Sequence, residues 1–329
     1  MELQQVMDEL RTLKHGYFPA EAVREAATKR EEITPLLLAE LERVADDPTL
    51  LADGKYMRPM YALYLLAQFR EPRAWPVILR LFGQATEENH LVDNTGDFVT
   101  EKLAVVLACV YNGDLVPLKK IITDRHCDQW VRGACIRALV HITMLEWHPL
   151  AETKACISKL LAGELERNNS NNNGDAWTSL AGAVRDLRMN NLAAVVLKAY
   201  DDGLIDPSFM SPQKFHSMCS SSATTIETTD DCRCRLITDA VAEMRHWPCF
   251  TKPCRKAKTD ETSAKKTVSS SVPTVMTLVA MTPSPATRPR SATTIPAPAA
   301  AVRNTRNAAA VYKRLTNHVT GQRFGGKAG

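Results

Sequence analysis

The sequence predicts an all-α protein of stacked helical hairpins, an armadillo- or HEAT-like solenoid, followed by a disordered C-terminal tail. Apolar residues recur at spacings of three and four along residues 1–250, as they do on the buried face of a helix. Pairs of such segments recur roughly every 30–45 residues, within the range of helical repeats. No alternating apolar and polar run flanked by turn residues predicts a strand. Stacked hairpins bury one continuous core and leave a concave surface.

Short amphipathic helices joined by short turns account for most of the chain. Pro19 begins the second helix at a position where its missing amide costs little, and Pro72 follows the end of the helix that starts near Tyr56. The predicted helices span residues 3–13, 19–29, 34–44, 56–69, 75–82, 99–112, 114–123, 128–145, 149–167, 174–188, 191–203 and, with a Ser/Thr-rich interruption at 220–229, 207–246.

The helix from Asp128 to Ile142 has the clearest pattern. Asp128 is suited to the N-cap, because its carboxylate accepts hydrogen bonds from the free amides of the first turn. Val131, Cys135, Ala138 and Ile142 then place apolar side chains on one broad face. This pattern predicts a centre of packing rather than a catalytic element.

Composition divides the chain near residue 250. Residues 1–250 carry 27 Lys and Arg against 35 Asp and Glu, whereas residues 251–329 carry 14 against 2. The tail is rich in Ala, Ser, Thr and Pro, a composition that cannot bury enough apolar surface to offset its ordering entropy. We therefore predict an α-helical repeat domain at 1–250 and a disordered basic tail at 251–329.

The overall composition is that of a globular protein without a membrane span. Of the 329 residues 45% are hydrophobic and 24% charged, and no run of about 18 apolar residues exists. The N-terminus shows no basic region followed by an apolar stretch, so we expect a cytoplasmic location and nine reduced cysteines.

An acidic loop at residues 87–101 separates two hairpins and is the first candidate site. Long loops between repeats often carry binding functions, and Asp93, Asp97 and Glu101 would supply charge for a basic partner or a cation. The simpler interpretation is a solvated loop in which Asp97 caps a helix. No metal-hydrolase motif of the H-E-x-x-H kind occurs.

Two arginines flank the apolar face of the Asp128 helix. Arg132 and Arg137 are candidates for partner binding, although such arginines more commonly satisfy carbonyls or a nearby acid, here Asp124 or Asp128. The histidines accompany no Gly-x-Ser-x-Gly elbow, so a hydrolytic triad is not expected.

Four cysteines near the end of the helical region are weak metal candidates. Cys232 and Cys234 form the one close pair, and Cys249 and Cys254 follow. Zinc sites usually contain two such pairs at regular spacing, so we favour free thiols and expect no cofactor in the chain as it stands.

Four stretches resemble a bacterial family, domain of unknown function 1186. They are residues 30–37 (REEITPLL), 61–74 (YALYLLAQFREPRA), 113–119 (GDLVPLK) and 203–207 (GLIDP). The resemblance covers roughly residues 1–250 and implies a helical fold and a bacterial origin, without an assigned activity.

The same resemblance implies a zinc-binding C-terminal SEC-C motif, P-C-P-C-G-S-G-K-K-Y-K-K-C-C, which the tail lacks. Read one base earlier, however, the codons for Ile295 to Ala309 permit Cys-Pro-Cys, Gly-Ser-Gly, Lys-Lys-Tyr and Lys-Lys-Cys-Cys in that order. The codons for Tyr312 and Lys313 then permit a stop. We therefore interpret residues 294–310 as a frameshifted SEC-C segment, which would bind one structural zinc if the frame were restored.

These observations favour a non-enzymatic scaffold or adaptor that binds a protein partner. The charge of a frameshifted tail is not selected, so neither nucleic acid nor a membrane is the expected partner. The alternative is an enzyme, such as a metal-dependent hydrolase, that uses the acidic loop at 87–101.

Sequencing the gene around codons 294–313 tests the frameshift. We expect the frame one base earlier to contain TGC codons at all four cysteine positions and a stop codon after the last of them. A single missing TGC codon would contradict the interpretation.

Overall fold

A computed structural model describes residues 1–165, 174–220 and 235–251. Within these ranges the chain forms helices and two isolated bridges, Thr12 with Tyr56 and Lys14 with Tyr17, and no strands. The all-α prediction is therefore confirmed. The predicted disordered tail, the segment 294–310 and the Ser/Thr-rich interruption lie outside the described residues, apart from Ser220 and Thr251. No helix in the described ranges is long and apolar enough to cross a membrane.

Fifteen α-helices are numbered here in chain order for the described residues. The first eight are α1 (Leu3–Glu9), α2 (Ala20–Thr28), α3 (Arg30–Asp46), α4 (Arg58–Phe69), α5 (Ala74–Phe82), α6 (Leu91–Asn94), α7 (Phe98–Glu101) and α8 (Leu103–Cys109). The others are α9 (Val116–Thr123), α10 (Gln129–Met144), α11 (Leu150–Lys159), α12 (Gly174–Asp186), α13 (Ala193–Asp201), α14 (Pro212–Ser220) and α15 (Ala240–Met244). Short 3₁₀ turns lie at Pro48–Ala52, Asn190–Leu192 and Pro248–Phe250, and a π-helical turn extends α11 over Leu160–Glu164.

Two predicted helices differ from the structure for local reasons. Helix α3 begins at Arg30, four residues before the predicted start, and contains Pro35 in its second turn. The Thr34 hydroxyl donates to the Arg30 carbonyl at 2.6 Å beside this proline. The predicted helix at 99–112 is instead two helices, because Lys102 (φ −125°) interrupts the backbone between α7 and α8.

Helix α10 lies at the centre of the fold, as its sequence pattern predicts. It packs most extensively against α8 and α12, and also contacts α7, α9 and α11. The Asp128 carboxylate accepts a hydrogen bond from the Trp130 amide at 2.8 Å, which confirms the N-cap. The Asp128 amide donates to the Ala85 carbonyl at 2.8 Å and ties this helix start to the end of the α5 hairpin.

The last described helix packs against two of the first four, which a linear repeat array does not predict. Helix α15 contacts α2 and α4, whereas each unit of a solenoid contacts only its neighbours. Residues 235–251, which we call the closing segment, are held by hydrogen bonds to distant helices. The Ala240 amide donates to Gln68 Oε1 at 2.8 Å, and the Gly16 amide donates to the Cys249 carbonyl at 3.0 Å. The predicted HEAT- or armadillo-like stacking is therefore not confirmed.

Aromatic side chains fasten the closing segment to the core. Phe250 lies 5.1 Å from Phe18 between ring centroids, and Trp247 meets Tyr64 edge to face at 5.5 Å. The aromatic residues of α4 and α5 are buried in the core. This packing fixes the closing segment beside α8 and α10, where it forms part of the site described next.

Candidate functional site

A cleft of about 650 Å³ lies where α8, α10, α12 and the closing segment meet. We call it the central cleft. Its apolar lining includes Ala104, Val105, Val140 and Ala183, together with Phe209 and Met210. Its charged lining consists of Glu101, Lys102, Arg137, Arg185, Asp186, Arg235 and Glu243. The remaining lining residues are Thr100, His141, Thr178, Ser179 and Gly182.

Arg137 joins three elements at the cleft wall. One guanidinium nitrogen (Nη1) donates to Asp175 Oδ2 at 2.9 Å and to Ser179 Oγ at 2.7 Å, both on α12. The other (Nη2) reaches the Thr100 carbonyl at 3.5 Å. Burial raises the pKa of Asp175, whose side chain is 8% exposed, while the Arg137 charge opposes that rise. The pair therefore fixes the guanidinium in place across the α10–α12 contact.

Gly133 makes this close contact possible. A Cβ atom at position 133 would lie 1.9 Å from Asp175 Oδ2 and 2.9 Å from Ser179 Oγ. Any side chain there would displace the carboxylate from Arg137. Glycine is needed here because the side chains of α12 leave no room for a Cβ atom, and not because of its own backbone conformation.

The other charged pairs of the cleft also lie in contact. Lys102 Nζ donates to Glu243 Oε2 at 2.7 Å, which connects the α7–α8 break with α15. Arg185 donates through Nε and Nη2 to the two carboxylate oxygens of Asp186, at 2.6 Å and 3.0 Å. Within the described ranges, neither Glu101 nor Arg235 forms an ion pair.

His141 is a neutral polar group on the α10 side of the cleft. Its Nδ1 is buried and has no hydrogen-bond partner among the described residues. Burial, reinforced by the Arg137 charge and opposed by Asp186, lowers the pKa of His141 to about 4. The imidazole therefore carries no charge at neutral pH.

The structure brings together two of the five predicted binding residues. Glu101 and Arg137 line the central cleft, but Asp93 and Asp97 do not. Asp93 is 78% exposed and pairs with His90 at 3.1 Å. Asp97 occupies the N-cap position of α7, yet its side chain makes no capping hydrogen bond, so the predicted cap is wrong.

Arg132 is a core residue rather than a binding residue. It is 2% exposed, and its Nε donates to the Ile122 carbonyl at 3.1 Å. Burial removes it from the candidate binding surface and agrees with the carbonyl-satisfying alternative. For Arg137, the acid partner is Asp175 and not Asp124 or Asp128, because α12 packs on this side of α10.

The cysteine candidates do not form a site in the described part of the chain. Cys232, Cys234 and Cys254 lie outside the described residues, and burial raises the pKa of the half-buried Cys249. Among the residues that the structure describes, no group of three His, Cys, Asp or Glu side chains could hold a metal ion.

Sequence reasoning missed several cleft residues. His141, Arg185, Phe209, Arg235 and Glu243 line the cleft but come from four separate segments. Phe209, which is 63% exposed and meets Trp130 edge to face at 6.5 Å, is the one with a recognisable signal, since an aromatic two residues after Pro207 does not continue a helical apolar pattern. The others required knowledge of which helices pack together.

Replacing Gly133 tests the close α10–α12 contact. Gly133→Ala should lower the free energy of unfolding by about 1–3 kcal/mol, since the new methyl overpacks the contact and displaces Asp175. Gly182→Ala on α12 is the matched control, because its Cβ has no neighbour closer than 3.9 Å. It should raise stability by about 0.5–1 kcal/mol through helix propensity. Urea denaturation measures both, and equal effects would contradict the contact.

The low pKa of His141 predicts a pH-dependent stability. The folded protein binds a proton at His141 less readily than the unfolded chain does. The free energy of unfolding is therefore highest above the unfolded pKa of about 6.5 and decreases as pH falls toward 4. At pH 5 the loss is about 2 kcal/mol. Urea denaturation at about pH 7.5 and about pH 5 measures how far the free energy of unfolding drops between them. In His141→Gln this drop should be smaller than in the wild type by about 2 kcal/mol. An unchanged loss would contradict the burial of a neutral imidazole.

Comparison with known proteins identifies a family for this chain. The family described as protein of unknown function (DUF1186) matches residues 1–251. An uncharacterised protein of Chlamydia trachomatis serovar D is 33% identical, over 75% of this chain and 96% of the relative. An uncharacterised protein of Chlamydia muridarum is 32% identical, over 75% of this chain and 97% of the relative. No solved structure matches. The chain therefore belongs to the DUF1186 family.

Proposed function

We propose that this protein is a non-enzymatic adaptor that binds a segment of a protein partner in the central cleft. The observation that supports this proposal best is the cleft itself. Its volume of about 650 Å³ falls within the range of binding pockets, and its lining combines apolar and charged residues. Such a mixed lining suits a polypeptide, which carries apolar and charged side chains close together.

Preorganisation of the cleft supports the same function. The ion pairs of Arg137, Lys102 and Arg185 hold their side chains before a ligand arrives. Because these side chains are already ordered, binding does not lose their conformational entropy, which is worth about 0.5–1.5 kcal/mol for each flexible side chain immobilised. Phe209 at the rim is an exposed aromatic of the kind that anchors protein interfaces.

The acidic-loop enzyme receives less support from the geometry. Of the three acids predicted to act in the loop at 87–101, only Glu101 lines the cleft. The side chains of Asp93 and Asp97 are exposed and do not line the cleft with Glu101. The acids of a metal-dependent hydrolase must lie close together to bind its metal. The exposed Asp93 and Asp97 therefore give this alternative less support.

The zinc proposal concerns relatives with an intact tail. In those proteins a SEC-C knuckle would assist docking of the partner. In this chain the stretch 294–310 is rich in alanine, which offers no ligand atom. Zinc therefore does not fit these residues, and the proposed adaptor function of this chain rests on the central cleft alone. We further propose a cytoplasmic location.

A cleft-filling variant tests the adaptor function. The full chain, tagged and cross-linked in the bacterium that carries the gene, should enrich a defined protein, whereas Gly182→Phe should lose it because the new ring fills the cleft. Gly54→Phe serves as the control, because a Cβ atom added at position 54 has no neighbouring atom within 4 Å. It should retain the partner.

Two results would contradict the proposal. One is retention of the same partner by Gly182→Phe. The other is the absence of any enriched protein at low and high salt, together with metal-dependent turnover by the purified chain in a hydrolase panel.

A further inference from the structure

Most charged side chains of the central cleft form ion pairs, and only two do not within the described ranges. Four cationic side chains line it, and three of them contact an acid. Lys102 pairs with Glu243, Arg185 with Asp186, and Arg137 with Asp175, at 2.6 to 2.9 Å. Once these pairs are counted, one carboxylate and one guanidinium remain without an ion-pair partner in the described ranges.

These two groups are Glu101 and Arg235. Both are exposed, and they belong to different elements, the end of α7 and the start of the closing segment. Because each is accessible, it attracts an opposite charge and repels a like charge without a prior ion pair having to break. The cleft therefore offers one site for a cation and one for an anion.

The groups around them add no net charge. His141 is neutral at neutral pH, and Val105, Val140 and Ala183 supply apolar surface. A polyanion such as nucleic acid requires several free cations along its phosphates. In this cleft it would meet one unpaired guanidinium and the carboxylates of Glu101, Asp186 and Glu243. A polypeptide with side chains of both signs is the better match.

We infer, on the basis of the proposed adaptor function, that the central cleft selects a partner segment carrying one basic, one acidic and one apolar side chain. The basic side chain pairs with Glu101, and the acidic side chain pairs with Arg235. The apolar side chain packs on Val105 and Val140. Like charges in either position are disfavoured, which makes the two unpaired residues the determinants of specificity.

A random dodecapeptide library displayed on phage tests this inference with the immobilised full chain. Peptides selected by the wild type and lost with Gly182→Phe should share one acidic and one basic position at a fixed spacing. Selection on Glu101→Lys should replace the basic position with an acidic one, and selection on Arg235→Glu should replace the acidic position with a basic one. Glu88→Lys, an exposed acid outside the cleft, should select the wild-type pattern.

Synthetic peptides then give the magnitude. By calorimetry, a selected peptide should bind Glu101→Lys about tenfold more weakly than the wild type, and reversal of its basic residue to Glu should restore the affinity. Cleft-dependent peptides without fixed charges would overturn the inference while leaving peptide binding intact. No cleft-dependent peptide at all would also overturn it, and the cross-linking of a partner would then decide the adaptor function separately. Binding of single-stranded RNA that is lost in Arg235→Glu would favour nucleic acid instead.

Discussion

The contact of α10 with α12 is the constraint on which the central cleft depends. A glycine at position 133 leaves room for the Asp175 carboxylate against the α10 backbone, and Arg137, one turn further along α10, neutralises that carboxylate. A buried acid without such a partner would cost several kcal/mol. The same guanidinium also reaches Ser179 and the Thr100 carbonyl, so one side chain connects α7, α10 and α12, three of the elements that line the cleft.

The closing segment completes this arrangement from the opposite end of the chain. Lys102 lies at the break between α7 and α8 and pairs with Glu243 of α15, while Gln68 of α4 accepts from the first amide of that helix. Aromatic packing around Trp247 and Phe250 stabilises the same segment. Arg235 and Glu243 line the cleft together with residues of α7, α8, α10 and α12, so the site is complete only when the closing segment is packed in place. An open stack of repeats does not predict this contact.

Local sequence signals predicted the helices and the position of α10 well. The Asp128 cap and the apolar spacing of α10 act over one or two turns, so they can be recognised without knowing what packs against the helix. The apolar pattern is continuous across Lys102 and does not predict the backbone break there. Pro35 predicts a helix start at residue 34, whereas α3 begins at Arg30. At both places local propensity alone does not fix where a helix begins or ends.

The candidate site was only partly predictable. Glu101 and Arg137 are recognisable in the sequence as candidate charged residues. Arg132 is equally recognisable, since it is an arginine on the same helix as Arg137, but it is buried. Four residues separate the two arginines, and which one faces the cleft depends on where α12 packs. The sequence by itself determined the helical class, the apolar faces and the change of composition near residue 250, since these follow from local spacing and residue chemistry. Only the tertiary structure decided which charges pair and which remain unpaired, because partners such as Arg137 and Asp175, or Lys102 and Glu243, are 38 and 141 residues apart and meet through packing alone.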